Sequence, residues 1–231
     1  CGATHQLPNL STHYSPLSMS RKIDWPNHIV SFFLIIFSIL LAFQLEKCSS
    51  DRKEDKLVDA HLAEIRKETA FNISQLEQSI TALDRTKLRL DTLMGLLDKG
   101  EDVERINRFV FQLLEVPYLY LKQNAYNSLT TSGDIRFVDD FEDKSAIVDL
   151  YEFHEQAIGM GDLLLETYKE SYFNYVKNNM DLKRASPRPL AIYQERVFVN
   201  GVSSYYYFVI RCQRLYKKHQ ERMQEYLATN S

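Results

Sequence analysis

Histidines and carboxylates at helical spacing are the residues here whose types could do chemistry. His61 and Glu64 lie three apart, and Glu152, His154 and Glu155 cluster within one helical turn. General acid–base work needs such groups to converge, and metal sites in helical proteins use Glu-x-x-His pairs on facing helices. Neither cluster has that order, and residues two apart, such as Glu152 and His154, face different sides of a helix. The expected reading of all five is solvated surface; a membrane-bound enzyme would need two or more of them to meet in a cleft.

Asp134, Asp139, Asp140, Glu142 and Asp143 form an acidic run. It lacks the spacing and central glycine of a calcium loop, so a solvated turn beside a helix N-terminus is expected. Ser132-Gly133 has no nucleophile-elbow frame, and there is no glycine-rich phosphate loop. Asn72-Ile73-Ser74 fits a glycosylation acceptor but falls mid-helix. The stretch from Arg211 to Arg222, with Arg214, Lys217, Lys218 and His219, is the one positive patch. It suits acidic lipid or a partner, although a solvated helix face is the plainer expectation. Tyr205, Tyr206 and Tyr207 suit a ligand groove or, by default, core packing. These readings name no catalytic residue, no metal ligand and no cofactor.

Composition narrows the class. The chain has 231 residues and a net charge of −3, which gives no nucleic-acid signature. Only 7 glycines and 6 prolines argue against a turn-rich all-β fold. Cys1, Cys48 and Cys212 are too few and too scattered for a disulfide framework.

The elements that must position these residues read as helices. From Ser49 to Gly100 no proline occurs, and Ile73, Leu76, Ile80, Leu83, Leu90, Met94 and Leu97 recur in steps of three and four. Lys87 fills one slot of this heptad-like stripe, and Val58, Leu62 and Ile65 continue it upstream with a phase slip. Gly100 is a stop signal. Asp102 is placed to cap a second helix that ends at Pro117. A third helix spans about Gln123 to Ser132, with Gly133 as a left-handed cap. A long helix follows from about Asp140 to Met180, with Gly159 and Gly161 marking a bend or close packing. Residues 181–190 read as a loop, 192–200 as strand, short helix or extended chain, and Asn200 as the cap of a last helix. The expected fold is all-α: a transmembrane helix followed by an elongated antiparallel helical bundle with a long heptad-like first helix.

Residues 29–45 carry no charge. At ~1.5 Å per residue they cover roughly 25 Å, the lower limit for crossing a bilayer core. No small-residue cleavage pattern follows, so a removed signal peptide fits poorly. Glu46 and Lys47 precede Cys48, so a lipoprotein signal fails too. A buried core helix is usually apolar on one face only, whereas Phe32, Phe33 and Phe37 cover several. The segment reads as an uncleaved signal-anchor, with Trp25, Ile29, Phe32, Phe33, Phe37, Leu41 and Phe43 as its membrane-contacting residues. This divides the chain into a disordered tail or start extension (1–18), a basic head (19–28), the anchor (29–45) and a helical domain (46–231). A rival reading makes Cys1 a lipidated N-terminus.

Two stretches carry a resemblance. "IIFSILLAFQLEKCSSDRKEDKLVDAHLAEIRKETAFN" (35–72) is similar to the opening of a family of uncharacterised single-span bacterial membrane proteins. "NAYNSLTTSGDIRFVDDFEDKSAIVDLYEFH" (124–154) resembles the middle motif of the same family, through Ala125, Tyr126, Leu129, Ser132, Gly133, Leu150 and Tyr151. This chain departs from the family by having Lys47 and Cys48 where the family has Trp and Asn. No activity is assigned to the family, so the resemblance implies an architecture only. It implies a bacterial inner-membrane location with the domain in the periplasm. The local count of Lys and Arg points the other way: Arg21 and Lys22 precede the run, while Lys47, Arg52, Lys53 and Lys56 follow it.

The function expected from sequence is a non-enzymatic, membrane-anchored interaction or scaffolding module. Its partners would be the membrane, copies of itself paired through residues 51–98, and an unidentified membrane or envelope protein, with no nucleic acid. A ligand-binding sensor domain signalling through a partner is the second expectation, and a membrane-bound enzyme the third.

Overall fold

The computed structural model describes residues 25–100 and 102–229. The tail at 1–18 and the part of the basic head at 19–24 therefore lie outside the described residues, as do the Cys1 reading and the interfacial side chain of Trp25. The described residues are helical, with no strand among them. Helix α1 runs from Trp25 to Lys99, α2 from Val103 to Gln112, α3 from Asn124 to Thr131, and α4 from Phe141 to Thr167. A π-helical stretch, Tyr168–Phe173, leads into α5, Asn174–Asn179; α6 is Leu190–Tyr193 and α7 is Arg196–Thr229. The described residues divide into two units, the first ending at Asp51 and the second beginning at Arg52.

Within the first unit, one helix near the N-terminus is long and apolar enough to cross a membrane. Ile29, Phe32, Phe33, Phe37, Leu41 and Phe43 are all exposed, as are Leu34, Ile35 and Leu40. Ser38 donates its hydroxyl to the Leu34 carbonyl at 2.7 Å, so this polar group is satisfied without water.

The second unit buries the apolar stripe of α1 in its own core. Ile65, Leu76, Ile80, Leu83, Leu90 and Leu97 pack there with Ile106, Leu129, Leu164, Val209 and Met223. The side chains expected to pair with other copies of the chain are thus engaged within it. Lys87, at the odd slot of the stripe, pairs with Asp91 at 2.8 Å and stays half exposed.

Gly100 breaks α1 with φ +65, a conformation that glycine adopts without the Cβ penalty. Asp102 caps α2, its carboxylate accepting from Arg105 N at 3.0 Å. Helix α2 stops at Gln112 rather than near Pro117. The carbonyls it leaves are taken from elsewhere: Tyr172 Oη donates to Val110 O at 2.7 Å and Tyr168 Oη to Leu114 O at 2.9 Å.

The chain then runs extended to Gln123, antiparallel to α1, and α1 side chains hold it in register. Arg89 donates to Gln112 O, Ser79 to Tyr118 O, and Asn72 exchanges two hydrogen bonds with the Lys122 backbone. Backbone groups that would otherwise be buried unpaired are satisfied this way.

Gly133 ends α3 with φ +79. Asp140 caps α4 through Glu142 N at 2.7 Å, and Glu142 and Asp143 lie in its first turn, where acidic groups favour the helix. Helices α4 and α7 run antiparallel: Met160 meets Cys212, and His154 meets His219. A Cβ on Gly161 would come within 2.7 Å of Tyr216 Oη, so this glycine serves close packing, whereas Gly159 faces open space. The ambiguous 192–200 stretch is helical, and α7 starts at Arg196, placing Asn200 inside it rather than at its cap. Phe198 explains the extra turn: it is fully buried among Tyr172, Tyr175 and Tyr193.

Candidate functional site

Among the fully enclosed polar groups are two histidines that the sequence pattern leaves on the surface. His154 and His219 are both 0% exposed. His154 is therefore not a surface member of the Glu152–Glu155 cluster, and His219 is not part of the positive face of α7. Each sits on the inner side of an amphipathic helix whose neighbours at other angles are charged.

They belong to a chain of contacts that joins α1, α3, α4 and α7. Glu68 on α1 accepts from Tyr151 Oη at 2.5 Å and from Ala125 N at 3.0 Å. One turn on, Asn72 accepts from Lys122 N and donates to Lys122 O, both at 2.8 Å. Those two bonds fix which end of the amide is which. The remaining Asn72 N–H then points at His154 Nε2, 2.9 Å away, which must accept it. His154 accordingly carries its proton on Nδ1, donating to Leu150 O at 2.8 Å. His219 Nε2 lies 3.1 Å from that same Nδ1 and faces it as an acceptor. The His219 proton is thereby left on Nδ1, which is buried with no partner among the described residues.

Stacking completes the packing. Tyr126 lies on Tyr151 with centroids 4.3 Å apart, Tyr151 on His154 at 4.7 Å, and His154 meets His219 edge-on at 4.6 Å. Burial moves the titrations of Tyr151, His154 and His219 away from neutrality. It pushes Tyr151 far up, with Glu68 adding to the effect, and pulls His154 down. His219 falls to about 3, from burial first and then from the neighbouring His154 and Arg222. Both imidazoles are neutral at pH 7. Both side chains are fully enclosed, and the contacts tie α1, α3, α4 and α7 together.

A groove of about 560 Å³ opens beside it, lined by His61, Glu64, Lys67, Glu68, Phe71 and Lys122. Most of its polar groups have partners: His61 meets Asp134 at 3.2 Å, Glu64 pairs with Lys67 at 2.7 Å, and Lys122 lies 3.8 Å from the Phe71 ring centroid. His61 and Glu64 thus have separate partners, Glu152 and Glu155 are exposed, and Glu155 accepts from Gln123. The five residues do not converge.

Of the seven motif positions, Ala125, Tyr126, Leu150 and Tyr151 touch the network directly, Leu129 is buried, and Ser132 and Gly133 close α3. Sequence reasoning missed Glu68 and read Asn72 only as a chance acceptor. A signal was present: Asn72, Ser79 and Thr86 recur every seven residues beside Leu76, Leu83 and Leu90, a polar line alongside an apolar one. No protein-family model matches the chain, and no curated protein or solved structure is significantly similar to it.

Proposed function

We propose that this chain is a single-span membrane protein whose helical domain, an antiparallel bundle, acts by binding other proteins rather than by catalysis. The observation that carries the reading is the apolar helical segment at 29–45, whose large side chains are exposed all round. Such a surface costs free energy in water and loses that cost in hydrocarbon. The resemblance of residues 35–72 and 124–154 supports a bacterial inner-membrane protein of that uncharacterised family, with the domain in the periplasm. The enclosure of His154 and His219 supports a structural rather than a catalytic role for the polar network. Self-association through residues 51–98 would have to use what the core leaves outside, notably Leu57 and Leu88.

Two experiments test this. A reporter fused after Ser231 that is active only outside the cytoplasm should be active; activity of a cytoplasm-only reporter would reverse the topology. Crosslinking in intact membranes should trap the chain with a partner. Monomers alone would count against the interaction reading.

A further inference from the structure

The outer face of α7 carries cations that no ion pair answers among the described residues, although Lys218 lies 5.7 Å from the Phe153 ring centroid. Residues 211–222 hold five cations and one carboxylate in a chain whose net charge is −3. Arg211, Arg214 and Lys218 recur at three and four residues, which places them along one helix face. Arg214, Lys217 and Lys218 are exposed, and among the described residues none of them, nor Arg211, forms an ion pair. Arg211 is held without being neutralised: its guanidinium lies 5.6 Å from the Tyr207 ring centroid and donates to Tyr207 Oη at 3.2 Å. Tyr207 is itself 55% exposed. Half-buried Met160 of α4 and Leu215 of α7 line a small cavity of about 240 Å³ together with the exposed Arg211, Arg214 and Lys218.

We propose that this face docks an acidic peptide segment carrying one large apolar side chain, which enters the Met160–Leu215 cavity while flanking carboxylates meet Arg211, Arg214 and Lys218. The inference names the partner class for the binding role proposed above and rests on that role. Three features favour a peptide. The cavity is smaller than the usual ~300–1,000 Å³ of small-molecule sites. An apolar centre ringed by Tyr and Arg is the arrangement of interface hot spots. A membrane surface is met by apolar side chains that protrude, whereas Met160 and Leu215 are half-buried beside exposed cations, which suits a partner that supplies the apolar group.

The test uses the full chain in zwitterionic lipid nanodiscs and a fluorescein-labelled peptide of Asp and Glu around a central Leu. Binding by anisotropy is expected, weakened at least tenfold by Arg211→Glu with Arg214→Glu, by Lys218→Glu, or by replacing the peptide's Leu with Ser. Raised salt should weaken it as well. These positions lie on the outer face, and Arg211→Gln with Arg214→Gln gives a milder second variant whose helix content is checked by circular dichroism. No binding, binding indifferent to these changes, or binding of phosphatidylglycerol vesicles in place of the peptide would overturn the proposal. Membrane crosslinking of wild type and the charge-reversed variant separates the two levels. Partners retained by the variant would sink this face alone, whereas partners absent from both would sink the binding role itself.

Discussion

Two parts of one helix obey opposite rules. Between Ile29 and Leu45, α1 is apolar on every side and its large side chains are exposed. Between Val58 and Leu97 it is amphipathic, and its buried side includes Glu68, Thr69, Asn72, Ser79 and Thr86. The first part needs only a medium that accepts hydrocarbon, so residue identity matters little beyond hydrophobicity. The second packs against a defined chain path, and its polar groups hold that path because they satisfy backbone groups that would otherwise be buried unpaired. Apolarity sets where the first part is stable; hydrogen-bond geometry sets how the second is folded.

The sharpest way to break this contrast is to make the second part follow the rule of the first. Asn72→Leu adds apolar surface of similar volume yet strands Lys122 N, Lys122 O and His154 Nε2. Denaturant unfolding should show a loss of about 4 kcal/mol. Ser38→Leu in the other part should leave stability unchanged. The converse change puts charge into the apolar segment. Leu40→Arg should cost about 3 kcal/mol of insertion free energy, read as a shift from membrane to soluble fraction, while Leu40→Ile should not move it.

A titration sharpens the contrast further. His154 and His219 are held below the ordinary histidine range, so below about pH 6.5 the unfolded chain binds more protons than the folded one. Their contribution is complete above that pH and is lost as pH falls toward the His219 value of about 3. For His219 the loss should approach about 1.4 kcal/mol per pH unit between those two values, with His154 adding in the same direction, seen as a falling urea midpoint. His219→Phe should make that fall shallower. The smallest expected effect compares two glycines of α4. Gly159→Ala, facing open space, should stabilise by about 0.5–1 kcal/mol through helix propensity. Gly161→Ala should destabilise instead, because its Cβ meets Tyr216 Oη; thermal unfolding of the pair reads the sign.

Much of the helical plan was legible because its signals are local. The uncharged run, the three-and-four stripe, Gly100, Asp102 and Gly133 each act within a few residues. The end of α2 and the start of α7 were not, because Tyr168, Tyr172 and Phe198 set them from distant positions. The buried network was hidden for a related reason. A histidine on a helix flanked by Glu152 and Glu155 looks solvated unless the inner face is known, and His219 hides among five cations in the same way. Glu68 and Asn72 become meaningful only once the segment at 116–123 and the start of α3 lie beside them.

The most direct test of the account is alkaline carbonate extraction of membranes from cells expressing the full chain. The protein should stay in the membrane pellet at high pH and be released only by detergent. Recovery of the folded protein in the soluble fraction, without detergent, would contradict it.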